Sequence, residues 1–481
     1  MAKRAAATTA VNSAAVIEHA RALVTAFVVD PAFHFLTGDQ GTAFHALARE
    51  LGIAIPADPG VGIPERVEPE LELSDDQKQA WSKLERWLGN GKSYFVLRGF
   101  AGTGKTFLLR KLAKLDINVF FTAPTNKAAK VLSRSVGTGA KTTYSFLGLR
   151  MVHDEDKLVL DFGKEKPHIP RNSVIVVDEG SMVGKQLVSV LKTMVEETGC
   201  KILVVGDPAQ LPPVGEATSP VWNLTADPEC RAVLRQVMRN DNQILAASMA
   251  VRSCLKNKVW RSPLVDDNAD GTGVFLHTKP GFERAIRGLD VEDFAGNKVV
   301  AWRNRTVDRY TKMIRSNLGF TDEYQVGEHL LLASPIEQDG SVIAHVDEEF
   351  RVRAVTESVV RVDDTDIPVY AVTVDGDQQL DLKIPSDTTE LQIILGHKAA
   401  AARATGSKGM RARLWREFWE TKAKFHEVRY GYAMTAHRVQ GSTHAGIYLD
   451  QADVLANPDK REAFRCLYVG VTRPTHQLHA F

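Results

Sequence analysis

Gly99-Phe100-Ala101-Gly102-Thr103-Gly104-Lys105-Thr106 is the stretch that decides the fold. It follows an apolar run over residues 93–98 and precedes an amphipathic segment through Leu108, Leu109 and Leu112. A glycine-rich turn between a strand and a helix lets backbone N–H groups curl around a phosphate at the helix N-terminus. At this spacing a lysine reaches the β- and γ-phosphates and a hydroxyl reaches magnesium. Gly99, Ala101, Gly102, Thr103 and Gly104 are therefore the expected cradle, Lys105 the mobile charge and Thr106 a metal ligand, with ATP and Mg²⁺ bound there. A merely structural glycine turn has no need of the strand before it and the helix after it.

The second half of such a site is Val174-Ile175-Val176-Val177-Asp178-Glu179. A buried strand here delivers two carboxylates at its C-terminal end, where open α/β sheets place ligands. Adjacent acids divide the work: Asp178 holds the magnesium shell, and Glu179 orients and deprotonates the attacking water. In isolation an Asp-Glu pair after an apolar run is more often a solvated turn; the P-loop upstream reverses that reading.

Short apolar runs alternate with amphipathic stretches from residue 71 onward, as parallel strands joined by crossover helices require. Strands are expected at 93–98, 117–122, 173–178 and 202–205, then in a second set at 298–302, 428–435, 445–449 and 466–471. Two α/β units follow. Residues 325–384 change character to short β-rich pieces divided by Asp/Gly turns, a pattern that fits a small barrel inserted in the second unit. A basic helix is expected over 408–424, and 147–171 reads as a hairpin. Ahead of all this, 1–70 reads as two helices, 11–29 and 40–52, and a linker.

The chain has 481 residues, enough for several packed units. Lysine plus arginine (60) nearly balances aspartate plus glutamate (59), so any nucleic-acid contact must come from local basic surface. Four scattered cysteines with no Cys-x-x-Cys pair argue against a zinc site or a disulfide framework and suit a reduced, cytoplasmic protein. The apolar stretch 11–29 carries Glu18, His19 and Arg21, which makes it a poor membrane span.

Further motifs carry a family resemblance. Leu203-Val204-Val205-Gly206-Asp207-Pro208-Ala209-Gln210-Leu211 resembles motif III of superfamily 1 helicases, Thr435-Ala436-His437-Arg438-Val439-Gln440-Gly441-Ser442-Thr443 resembles motif V, and Leu467-Tyr468-Val469-Gly470-Val471-Thr472-Arg473 resembles motif VI. In order and spacing, over residues 71–481, the set is similar to the RecD-like branch, superfamily 1B, and within it to the small phage helicases of the Dda type. The resemblance implies an α/β fold of two RecA-like P-loop NTPase domains. The first would comprise 71–146 and 172–245 with a hairpin (pin) insertion at 147–171. The second would comprise 246–321 and 426–481 with an SH3-like barrel and helix at 322–425. Residues 1–70 form an N-terminal helical extension to which no task is assigned.

Carried over motif by motif, Gln77 would read the adenine, Gln210 would sense the γ-phosphate, and Arg239 and Arg473 would be arginine fingers. Gly441 would line the nucleotide. Pro124, Thr125 and Asn126 of motif Ia, Thr143 of motif Ib, and His437, Arg438, Gln440 and Ser442 of motif V would hold the DNA backbone. Where this chain has Gly180 and Arg438, relatives often have alanine and lysine. The aromatic stripe Trp415, Phe418, Trp419 either packs in the core or stacks bases. The implied activity is ATP-driven unwinding of duplex DNA by a monomer moving 5′-to-3′ on a single strand, with forked duplex DNA and replication proteins as partners and no membrane. A translocase that remodels protein complexes and a non-catalytic nucleic-acid-binding scaffold are the competing readings.

Overall fold

The computed structural model describes residues 73–154, 157–162, 167–236, 243–338, 341–376 and 378–481. The expected extension 1–70 and Arg239 lie outside the described residues. Helix α1 (Asp75–Gly89) opens on a capping box: the Gln77 amide N–H donates to the Ser74 hydroxyl, and the Gln77 side chain accepts from the Ser74 N–H. Each bond satisfies a donor that the first helical turn leaves without a partner.

From there the chain builds β1 (Tyr94–Gly99), α2 (Lys105–Ala113), β2 (Val119–Ala123), α3 (Asn126–Val136), β3 (Ala140–Thr142) and α4 (Thr143–Phe146). A hairpin, β4 (Leu149–Asp154) and β5 (Lys157–Phe162), pairs in antiparallel register, Leu149 opposite Phe162. Then follow β6 (Val174–Val177), α5 (Lys185–Thr198), β7 (Lys201–Gly206), β8 (Arg231–Leu234) and α6 (Gln243–Asn257). Strands β3-β2-β6-β7-β1-β8 form one sheet, parallel throughout. Its central strands are buried on both faces, so β6 and β7 read as unbroken apolar runs and not as alternation.

The second sheet takes β9 (Asp267–Ala269), β10 (Thr272–Leu276) and, after α7 (Lys279–Arg287), β11 (Asn297–Ala301), which α8 (Asn304–Asn317) follows. An antiparallel sheet comes between, from β12 (His329–Leu332), the short hairpin β13 (Ile336–Gln338) and β14 (Ser341–Ala344), and then β15 (Glu349–Val362), β16 (Thr365–Asp375) and β17 (Gln379–Pro385). Helices α9 (Thr389–Ala404) and α10 (Lys408–Lys422) lead to β18 (Val428–Tyr430), which completes the order β17-β16-β15-β12-β18. The chain returns through β19 (Ala433–Thr435), α11 (Ala436–Val439), β20 (His444–Leu449), α12 (Gln451–Leu455), α13 (Lys460–Thr472) and β21 (Pro474–Ala480). The second sheet runs β19-β11-β20-β21-β10-β9, parallel except for β9.

Two sequence expectations are corrected. The apolar run 466–471 is not a strand but the inner part of α13, buried at every position from Cys466 to Val471, so no 3.6-residue periodicity shows. The run 428–435 is not one strand but two, in different sheets. The chain breaks at Gly431, whose N–H donates to the His329 carbonyl and where a Cβ would come within 3.1 Å of His329 Cβ. On α10, Trp415, Phe418 and Trp419 pack edge-to-face on one another, partly buried, with Arg403 of α9 over the Trp415 ring. Among the described residues no helix is long and apolar enough to cross a membrane.

Candidate nucleotide cleft and strand track

The loop after β1 takes left-handed backbone at Gly102 and Gly104. A Cβ on Gly99 would stand 2.8 Å from the Thr103 hydroxyl and 2.9 Å from Lys105 Cγ, and one on Gly104 would stand 2.2 Å from the Gln77 amide nitrogen. Only glycine leaves this cradle open, which is the fit a phosphate chain needs. Lys105 Nζ donates to the carbonyls of Gly99 and Phe100 at 3.0 and 2.8 Å. Burial lowers its pKa, while the carboxylates of Asp207, Glu179 and Asp178 oppose that effect. Gln77 donates to the Thr103 carbonyl at 3.1 Å and accepts from Ser74, so one N–H and one oxygen lone pair of its amide remain for a base edge.

Asp178 and Glu179 follow β6 as expected, with Glu179 in left-handed backbone at φ 49° and its N–H donating to the Asp178 carboxylate at 2.9 Å. Burial first, and Glu179 second, push the Asp178 carboxyl up to about 7. Crowded negative charge of this kind is what a divalent cation relieves, so Asp178 and Thr106 fit a magnesium ion. Gly180 is required by packing. A Cβ there would lie 2.6 Å from Val204 Cγ1 and 3.4 Å from the Trp222 ring, which leaves no room for a methyl group.

Residues from the two sheets meet here. Arg473, at the end of α13, places Nη1 3.8 Å from Glu179 Oε1. With the Gln210 amide oriented to satisfy both neighbours, its nitrogen donates to Glu179 at 3.1 Å and its oxygen accepts from Arg473 at 3.0 Å. The Arg473 Nε is buried without a partner, a donor left for a phosphoryl oxygen. The lobes are tied further by Asp207, which follows β7 and is fully buried. It accepts from Arg252 of α6 at 2.5 and 2.6 Å and from the Tyr468 hydroxyl of α13 at 2.6 Å. Arg252 also lies 3.7 Å over the Phe100 ring of the phosphate loop. Asp207 and Tyr468 lie within motifs III and VI but had no task assigned from sequence, and Arg252 belongs to no motif at all.

The expected strand contacts divide. Thr125 caps α3 through the Ala128 N–H, with Pro124 and Asn126 beside it partly exposed. His437 Nε2 lies 3.4 Å from Glu462, and Arg438 pairs with Asp347. Three others face inward: Thr143 donates to the Thr122 hydroxyl, Ser442 to the Val439 carbonyl, and Gln440 to the Ser181 hydroxyl at 3.1 Å and the Leu211 carbonyl at 3.3 Å. Their polar groups are spent inside the protein. Gly441, at φ +77°, sits against α3, where a Cβ would come 3.3 Å from the Thr125 hydroxyl and 3.4 Å from Ala128 Cβ. It lines the junction between the lobes.

Two family models match, the AAA domain over residues 72–258 and the UvrD-like helicase C-terminal domain over 430–480. The chain is 28% identical over 450 residues to the ATP-dependent DNA helicase dda of Enterobacteria phage T4, covering 84% of this chain and 97% of that protein. It is 31% identical to the ATP-dependent RecD2 DNA helicase of Deinococcus radiodurans over 188 residues, 38% of this chain and 24% of that one. Among solved structures, Pif1 helicase from Bacteroides in complex with ADP-AlF3 and ssDNA aligns at 13% identity and a TM-score of 0.43, over 85% of this chain and 92% of that one. The motif order, the two family models and the sequence relatives agree: the chain is similar to the superfamily 1B DNA helicases, in the RecD-like branch with the Dda-type enzymes.

Proposed function

We propose that this chain is an ATP-dependent DNA helicase that moves 5′-to-3′ along single-stranded DNA and parts the duplex ahead of it. The observation that carries the reading is the Glu179–Gln210–Arg473 contact, in which the hydrolytic carboxylate of one lobe is held by a cation of the other. Nucleotide bound at Lys105 and Arg473 together draws the lobes shut, and its hydrolysis frees them.

In this reading Thr106 and Asp178 hold Mg²⁺, which neutralises charge on the terminal phosphates. Glu179 takes a proton from the attacking water, Gln210 reports the γ-phosphate to Arg473, and Gln77 contacts the base. Gln440 holds the Ser181 hydroxyl and the Leu211 carbonyl behind the site. Pro124, Thr125, Asn126, His437 and Arg438 hold the strand, whereas Thr143 and Ser442 support it from beneath. The hairpin β4–β5 is the duplex-splitting insertion of the first RecA-like domain. The sheet β17-β16-β15-β12-β18 is an SH3-like barrel inserted, with α9 and α10, into the second. The working form is a cytoplasmic monomer engaged on forked DNA.

A duplex with one single-stranded tail tests this. The 5′-tailed form is expected to be unwound with ATP and Mg²⁺ and the 3′-tailed form is not; unwinding of the 3′-tailed form alone refutes the direction, and unwinding of neither refutes the helicase activity.

A further inference from the structure

The turn between β14 and β15 ends on Asp347 and Glu348, Glu349 opens β15, and each of these three consecutive acids meets a cation from elsewhere in the fold. Asp347 pairs with Arg438 of motif V. Glu348 pairs at 3.2 Å with Lys130 of α3, the helix that begins at motif Ia in the other lobe. Glu349 accepts from the buried Lys298 ammonium at 2.7 Å. Burial alone would raise the Glu349 carboxyl, but the hydrogen bond with His329 and the Lys298 charge hold it at about 2, so it stays ionised.

The three pairs differ in kind. Lys298 is fully buried, so Glu349 is a structural anchor. Lys130 and Arg438 are partly exposed, with side chains 44% and 24% accessible, and they flank the strand track. Arg438 also feels a second cation, Arg429, nearby. The turn itself is pinned. Glu348 accepts from the His345 N–H at 2.9 Å, the backbone pairs Asp347 N–H with the Leu332 carbonyl, and Asp347 is held in left-handed backbone at φ 62°, a conformation strained in a residue with a Cβ. Two carboxylates on a rigid, strained turn thus bridge one cation from each lobe where the track runs.

We propose that Lys130 and Arg438 form a two-lobed contact for consecutive phosphates of the bound strand, and that the Asp347-Glu348 turn occupies this contact as an internal substitute for those phosphates. DNA binding then requires an exchange, carboxylates out and phosphates in, and the turn lowers affinity for single-stranded DNA by competing for the same cations. The exchange also sets the lobes free of one bridge, Lys130–Glu348, at the moment the strand supplies another. This inference rests on the single-strand reading above.

The test is fluorescence anisotropy of the full chain with a labelled oligo-dT, without nucleotide, over a range of KCl. The Asp347→Asn/Glu348→Gln protein is expected to bind about 5- to 10-fold more tightly at low salt than the parent, because two competing ion pairs are gone. Its advantage over the parent is expected to shrink as KCl rises, because salt weakens the parent's own ion pairs and so removes the competition. Adding Lys130→Ala to that protein is expected to remove at least half of the increase in affinity. Glu348→Gln alone leaves the left-handed residue untouched and is expected to shift affinity the same way by less. If the parent binds oligo-dT and neither neutralised protein differs from it, the turn does not compete and the proposal falls while the strand reading stands. If neither parent nor variants bind, the strand reading fails and takes the proposal with it.

Discussion

Arg473 Nη1 lies 3.8 Å from Glu179 Oε1, although Glu179 follows a strand of the first sheet and Arg473 ends a helix packed on the second. The carboxylate assigned to activate water is therefore held by the group assigned to stabilise the transition state. Replacing Glu179 with Gln keeps the shape and the contact with Gln210 but removes the base. Turnover is expected to fall by about 10²- to 10⁴-fold with nucleotide affinity nearly unchanged, measured by steady-state hydrolysis alongside nucleotide titration. Unchanged turnover would take Glu179 out of that role.

Gln440 links motif V to the nucleotide side of the cleft through Ser181 and the Leu211 carbonyl, three residues after His437 and two after Arg438. Truncating it to alanine strips two buried hydrogen bonds, worth about 1 kcal/mol each with a wide range. The DNA-stimulated ATPase rate is expected to drop toward the DNA-free rate, about tenfold, with strand affinity changed far less. Equal stimulation in Gln440→Ala and parent would show that coupling runs elsewhere.

Asp207 is fully buried and depends on Arg252 and Tyr468 for its charge. Arg252→Ala leaves that carboxylate with the Tyr468 hydroxyl and the Ala209 N–H but without its ion-pair partner. Breaking a buried pair by removing one partner costs about 3–5 kcal/mol, and the lower end applies here because Arg252 keeps some exposure to solvent. Thermal unfolding should show a melting temperature several degrees lower. Arg252→Gln combined with Asp207→Asn is expected to recover part of the loss, since no uncompensated charge remains; no loss in Arg252→Ala would mean the network carries no stability.

The raised Asp178 carboxyl gives a pH dependence of stability with a defined sign. Its folded pKa, about 7, exceeds the ordinary carboxylate value of 3.8, so its stabilising contribution is complete below about 4 and is lost as pH rises through about 7. Urea unfolding without nucleotide or metal is expected to show the parent losing stability relative to Asp178→Asn between pH 5 and pH 8. Magnesium should lessen the loss. A constant difference between the two proteins across that interval would rule out the shift.

Much of this was legible from local pattern. The phosphate loop, its flanking strand and helix and the acids after β6 lie within short contiguous windows whose chemistry is explicit, and the structure places them on one cleft. Expectation and structure part where burial erases periodicity, as in the inner turns of α13, and where one apolar run serves two sheets, as at Gly431. Arg252 was invisible because a lone arginine on a helix has no sequence signal for the buried carboxylate it meets. Thr143, Gln440 and Ser442 sit in motifs expected to approach the strand, yet motif membership does not say which way a side chain points; each turns inward because its hydroxyl or amide finds a buried partner.

In the proposed mechanism nucleotide is gripped from both lobes at once, and Arg473→Ala would remove the grip of the second lobe alone. Hydrolysis followed in a single turnover with single-stranded DNA present is expected to slow by about 10³- to 10⁵-fold, the range for loss of an arginine finger, while ADP still binds the P-loop lobe with near-parental affinity. Hydrolysis within a few-fold of the parent would leave the second lobe with no part in the chemistry and would overturn the two-lobed mechanism.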